Sequence, residues 1–212
     1  MKQLLVYADS LSWGIIPNTR ERLAFFERWP GVMEDALSLN HPVRVIENCL
    51  NGRRTVWEDP FKPGRNGLSG LPQVIEMHSP LALVIIMLGT NDFQSMHPHN
   101  SWHAAQGAAT LIREILRAPI EPGMPTPEIL LVAPPQITAP RGPIAEKFLG
   151  AENKCLELAE RYAEVCRQLN CHFFDSNAVI SASKVDGIHL DQPDHLQLGI
   201  ALAEKVGNIL KT

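Results

Sequence analysis

The chain has 212 residues, 45% of them hydrophobic and 20% charged, and carries a formal net charge of −4. That length suits a single domain, taken to span residues 1–212, with a core large enough to need neither disulfides nor metals. The composition excludes a disordered chain, and the acidic balance argues against a nucleic-acid binder, which usually carries a basic field.

Residues 4–8 are a short apolar run that stops at Asp9-Ser10, and they are expected as the first strand. The run is too short for a secretory h-region and no cleavage site follows it. Residues 22–39 have a mostly helical period, with Pro30 able to start or kink a helix but not to sit inside one. Residues 43–46 are a second strand. Residues 47–70, rich in Asn, Gly, Arg and Pro, are expected as a long irregular loop. Residues 81–88 are continuously apolar, as in a strand buried on both faces of a parallel sheet. They form the longest apolar run and fall well short of a membrane span. A helix is expected over 102–116, prolines break the chain at 119–127, and residues 129–133 form a strand stopped by Pro134-Pro135. A long helix over 144–169, a short strand at 172–174 and a closing helix over 194–210 complete the order.

Strands alternating with helices imply parallel pairing through right-handed crossovers. The fold class is therefore α/β: a three-layer α/β/α sandwich around a flavodoxin-like five-stranded sheet, with strand order 2-1-3-4-5. Five strands are too few for a TIM barrel. Cys49, Cys155, Cys166 and Cys171 form no C-x-x-C pair and no disulfide framework, which fits a reducing, cytoplasmic setting.

Ligands of open parallel sheets bind beyond the carboxyl ends of the strands. Four polar clusters are expected there: Asp9-Ser10, Asn51-Gly52, Gly89-Thr90-Asn91-Asp92 and Asp186-Gly187-Ile188-His189. A serine hydroxyl becomes a nucleophile once a base takes its proton, and His189 is the best base available. Asp186, three residues earlier, is within reach of the other ring nitrogen, where a carboxylate fixes the tautomer. The plainer alternative is that Asp9 or Ser10 only caps a helix and His189 is an ordinary loop residue. Asn91 is either an amide donor to an oxyanion or the head of an Asx turn. Gly52 can offer a backbone N–H at close range. Asp92 reads as a loop-bracing acceptor.

These clusters resemble the blocks of the SGNH, or GDSL-type, hydrolases. Ala8-Asp9-Ser10-Leu11 resembles the first block, Gly52 the second-block glycine, Gly89-Thr90-Asn91-Asp92 the third block and Asp186-Gly187-Ile188-His189 the fifth. They stand in family order across residues 8–189. The stretches Ser10–Gly14, Val84–Asp92 and Val185–His189 are similar to those of bacterial arylesterases and acyltransferases. The resemblance implies a serine esterase for short, acetyl-type esters. Ser10, His189 and Asp186 would form its triad, and the Ser10 N–H, Gly52 N–H and Asn91 amide its oxyanion hole. It also implies acyl transfer or perhydrolysis beside hydrolysis, a small ester as substrate, and homo-oligomers up to octamers whose loops narrow the site. Neither cofactor nor metal is called for, and neither nucleic acid nor membrane is an expected partner. Ala8 departs from the family glycine, a change that is costly only where φ must be positive.

Trp13, Phe93 and Ile188 flank these motifs and are candidates for an acyl pocket or for core. His195 reads as structural, with Asp194 as a cap of the last helix. His97, His99 and His103 have spacings only loosely suggestive of a metal site. Arg53, Arg54 and Arg65 are candidates for binding an anion or for bracing the loop, with bracing the default. Two rival functions remain open at this level: a carbohydrate acetylesterase with the same chemistry, and a lapsed ligand-binding or scaffold protein. No Gly-x-Gly-x-x-Gly or Walker A run follows the first strand, which disfavours nucleotide binding.

Overall fold

A computed structural model of the chain describes residues 1–211. Its five strands are β1 (Lys2–Ala8), β2 (Val43–Cys49), β3 (Leu83–Met87), β4 (Glu128–Ala133) and β5 (His172–Asp175). They form one parallel sheet in the order β2-β1-β3-β4-β5, the expected topology. Side chains alternate across a strand, and here both faces are covered. Leu5, Tyr7, Val84, Ile86, Ile129 and Leu131 face one core, while Leu4, Val6, Leu83, Ile85, Leu130 and Val132 face the other. This two-sided burial is why residues 81–88 read as an unbroken apolar run.

The first core is closed by α3 (Leu71–His78), α4 (Ser101–Leu116) and α6 (Leu158–Leu169), the second by α2 (Trp29–Ser38) and α7 (Gln192–Ile209). Asn100 caps α4, its side chain accepting from the backbone N–H groups of Trp102 and His103. Two short helices, α1 (Ser10–Trp13) and α5 (Ala151–Lys154), sit in the connections.

Several expected helices have different bounds. The helix expected over 22–39 begins only at Trp29, because Pro30 lacks the N–H and fits the first turn alone. Ahead of it, Arg22 bridges Ile15 and residues 25–27 form a 3-10 turn. The helix expected over 144–169 is broken into 3-10 turns at Gly142–Ile144 and Glu146–Phe148, then α5 and α6. Gly150 and Glu157 hold left-handed backbone at φ 78° and 64° between them. A straight helix over that range would run about 39 Å, beyond the roughly 23 Å of a seven-residue strand. The breaks turn the chain over the strand ends. Helix α3 has no counterpart among the expected elements, because only Leu71 and Ile75 are buried in it, too few to set a period. Helix α7 starts at Gln192, so Asp194 lies within its first turn instead of capping it, and Pro193 fixes that start.

His195 ties α7 to α2. It is wholly buried, and its Nδ1 accepts from the Trp29 N–H at 3.2 Å. Burial, with Arg28 and His189 nearby, lowers its pKa from 6.5 to about 4. The unfolded chain therefore binds a proton that the fold refuses, and stability is lost as pH falls from 6.5 towards 4. The loss is about 3 kcal/mol at its largest. His195→Asn keeps an acceptor and removes the titration. Urea unfolding should show the wild type losing ground to this variant between pH 7 and pH 4. An unchanged gap would contradict the assignment.

Candidate active site

Chain direction delivers the strand-end clusters to one edge of the sheet. Ser10 follows β1 and opens α1, with the Asp9 side chain accepting from the Leu11 N–H at 3.0 Å. Asp9 is therefore the cap, and Ser10 keeps its hydroxyl for other contacts. Ala8 is buried and extended, paired with Cys49 and Met87, so its methyl meets no demand for positive φ. Gly89, at φ 122°, turns β3 into the segment carrying Asn91, where a Cβ would lie 2.6 Å from the Tyr162 hydroxyl. That hydroxyl donates to the Leu88 carbonyl at 3.0 Å and holds the turn.

The Ser10 Oγ lies 3.2 Å from His189 Nε2, and His189 Nδ1 lies 2.7 Å from Asp186 Oδ2. The other Asp186 oxygen accepts from the Ile188 and His189 N–H groups, each at 2.9 Å. Burial acts to raise the Asp186 carboxyl, but the His189 bond, the imidazole charge and the two N–H donors outweigh it and hold the pKa below the ordinary value. The carboxylate stays ionised and orients the ring. The segment is clamped by the Thr138 N–H on the Gly187 carbonyl at 3.0 Å and the Ser183 N–H on the His189 carbonyl at 2.7 Å.

Gly52 adopts φ 84° in a turn tied to β1 by the Leu50 N–H on the Ala8 carbonyl at 3.0 Å. Among the described residues, the N–H groups of Ser10 and Gly52 donate to no protein acceptor. Asn91 Nδ2 donates to Asp9 Oδ2 at 2.9 Å and to the Arg53 carbonyl at 3.2 Å, while its Oδ1 accepts from Gln94 Nε2 at 2.7 Å. Gln94 in turn accepts from Arg54, whose guanidinium lies 3.1 Å from Asp59. This buried chain fixes which end of the Asn91 amide faces Asp9. Burial lifts the Asp9 pKa to about 6, against its bonds to Leu11 and Asn91. Asp92 accepts from the Thr55 N–H and hydroxyl and so braces the long loop, and burial lifts its pKa to about 7.

Beside His189 and Asp186 opens a cavity of about 570 Å³, with Ile15, Pro143 and Ile144 as its apolar walls. None of those three stands out in the sequence: Ile15 is five residues past Ser10, and Ile144 arrives from a distant turn. Trp13, Phe93 and Ile188 do not line this cavity. Phe93 and Ile188 are buried in the first core, and Trp13 is half-buried under the Arg22 guanidinium, 4.6 Å from its ring. Gln94 carries no signal in the sequence, although it adjoins the third block, and Arg54, read as a loop brace, also holds Gln94.

Arg53 donates to the Ala8 and Asn48 carbonyls and stacks on Tyr7, while Arg65 donates to the Asn51 and Pro63 carbonyls, so both brace the loop. The rings of His97 and His99 stack at 4.8 Å, and His99 lies 4.0 Å from the Trp57 ring. Among the described residues no group of three or more His, Cys, Asp or Glu is placed to hold a metal ion. Burial, with His97 and His103 adjacent, lowers the His99 pKa to about 4.

A model of the GDSL-like Lipase/Acylhydrolase family matches residues 9–198. Among solved structures, the chain is similar to the native aryl esterase of M. smegmatis, with a TM-score of 0.93 and 38% identity over 99% of this chain and 100% of that one. It is equally similar to a carbohydrate acetylesterase from Sinorhizobium meliloti, with a TM-score of 0.93 and 34% identity over 99% and 100% of the two chains. An arylesterase of Vibrio mimicus is 38% identical over 93 residues, 43% of this chain and 38% of that relative, so the likeness spans under half of the relative's length.

Proposed function

Since the chain belongs to the GDSL-like Lipase/Acylhydrolase family, we propose that it is a serine esterase in which Ser10 attacks the ester carbonyl and His189 takes its proton. The observation that carries this reading is the relay from the Ser10 hydroxyl through His189 to a carboxylate held ionised. In the first half-reaction the Oγ–C bond forms, and charge collects on the carbonyl oxygen between the Ser10 and Gly52 N–H groups and the Asn91 amide. His189 then gives its proton to the leaving alcohol oxygen as the C–O bond breaks. Water, deprotonated by His189, releases the acid from Ser10. An added alcohol or peroxide in place of that water gives acyl transfer or perhydrolysis.

Arylesterase-like action on short acyl groups fits best. Phe93 and Ile188 are packed in the core beside the motifs, and Trp13 is half-buried under Arg22, so large side chains surround the motif residues. Across a series of p-nitrophenyl esters, kcat/KM is expected to be highest for acetyl and to fall with each added pair of carbons; a maximum at decanoyl would reverse the assignment. The likeness to the Sinorhizobium meliloti acetylesterase supports acetylated sugars as a second substrate set, and the same series extended to sugar acetates decides between them.

We read the chain as cytoplasmic, in keeping with its four unbridged cysteines. No described helix is long and apolar enough to cross a membrane. The proposed assembly is a homo-oligomer, up to an octamer. Phe61, 80% exposed in the 47–70 loop, and Leu149, 73% exposed within the broken 144–169 segment, are apolar surface that subunit contacts would bury.

A further inference from the structure

The cavity beside His189 is apolar in its walls but not in its charge. Arg20 and Lys147 both line it. Among the described residues, six of the other eleven arginines pair with a carboxylate: Arg22 and Arg28 share Glu47, Arg44 meets Glu34, Arg54 meets Asp59, Arg161 meets Glu157 and Arg167 meets Glu164. Arg20 and Lys147 have no ion pair among the described residues, and Arg20 stands exposed while Lys147 is half-buried. Lys62 adds to the same field: Lys147 feels Lys62 and Arg20, and Lys62 feels Arg65 and Arg20. The carboxylate that weighs most on Lys147 is Asp59, whose side chain is 2% exposed and already matched by Arg54 at 3.1 Å, while Asp186, also in the wall, is taken by His189. Burial and the neighbouring cations lower the Lys147 pKa, with Asp59 opposing them, so an anion placed among them would be welcome. A chain of net charge −4 thus presents unmatched positive charge at the wall of its candidate site.

The chemistry says which end of an ester reaches this wall. His189 must protonate the leaving oxygen, so the alcohol portion lies on its side, and the cavity is bounded by His189 and Asp186 but not by Gly52 or Asn91. We propose that the preferred substrates are esters whose alcohol portion carries a carboxylate, held by Arg20 and Lys147, with Ile15 and Ile144 packing its carbon frame. This rests on the serine-esterase reading and adds the substrate class to it. Charges of this kind act on encounter and orientation more than on the chemical step, so the preference should be carried by KM.

The test compares 4-acetoxybenzoate with its neutral amide, 4-acetoxybenzamide, each rate normalised to hydroxide-catalysed hydrolysis. The wild type should favour the carboxylate by about five- to tenfold in kcat/KM, the size two partly solvated charges supply against one anion. Salt raised from about 0.01 M to about 1 M should compress that ratio, because the screening length falls about tenfold. In the Arg20→Gln, Lys147→Gln double variant the ratio should drop to about one. Hydrolysis of both esters by the wild type without preference overturns the carboxylate assignment alone. So does a ratio that survives in the double variant or ignores salt. If the wild type hydrolyses neither ester, the serine-esterase reading itself falls.

Discussion

Ser10→Ala is expected to lower kcat on p-nitrophenyl acetate by about 10⁴- to 10⁶-fold. The side chain lost is the proposed nucleophile, and neither His189 nor the oxyanion donors can replace its covalent step. Among the described residues the Ser10 hydroxyl's side-chain partner is His189 Nε2 at 3.2 Å, and removing one hydroxyl leaves Asp9 as the cap of α1, so the fold should survive the change. Two measurements check this together. A serine-reactive phosphonate should add one adduct mass to the wild type, located at Ser10 by peptide mapping, and none to the variant. The variant's urea midpoint should stay near that of the wild type. Residual turnover within tenfold of the wild type, in a folded variant, would remove Ser10 from its role.

Asn91→Ala should cost about 10²- to 10³-fold in kcat, roughly 3–4 kcal/mol of transition-state stabilisation, with a much smaller change in KM. The resting geometry explains why the effect belongs to the transition state. Both Asn91 amide protons already have acceptors, Asp9 Oδ2 at 2.9 Å and the Arg53 carbonyl at the longer 3.2 Å. An uncharged ester carbonyl competes poorly for them, whereas an oxyanion draws the weaker-held proton away from Arg53. The same variant carries a stability signature. Burial raises the Asp9 pKa from 3.8 to about 6, and the Asn91 bond opposes that rise. Without the amide, the ionised carboxylate is worse placed in the fold while the protonated form is little affected. Destabilisation by Asn91→Ala should therefore be larger at pH 8, above the folded pKa, than at pH 5, below it. A variant with unchanged kcat would end the oxyanion assignment, and an equal loss at both pH values would show that Asp9 does not depend on this bond.

Not all of the site was equally open to reading along the chain. The strand at 81–88 was legible because burial on both faces removes polar alternation, and Asp9-Ser10 and Gly89–Asp92 were legible because each stops an apolar run. Asp186 and His189 were legible as a pair because three residues on a tight turn suffice to join a carboxylate to a ring. The 144–169 segment was misread because the apolar period persists through Leu149 and Leu156, which the structure leaves exposed, while the turns at Gly150 and Glu157 answer to the height of the sheet. The cavity walls were invisible, because Ile15, Ile144, Arg20 and Lys147 share no period and meet only after the chain has turned over the strand ends.

Residue order alone determined the α/β class, the strand sequence and which chemical groups stand at the strand ends, since these follow from local apolar patterning and from motifs a few residues long. Tertiary structure decided the rest: that a hydroxyl and an imidazole 179 residues apart come within 3.2 Å, that Phe93 and Ile188 turn into the core, and that Arg20 and Lys147 line the cavity beside His189. Hydrogen bonds and cavities depend on sub-ångström placement, and that placement is set by the packing of distant segments against one another.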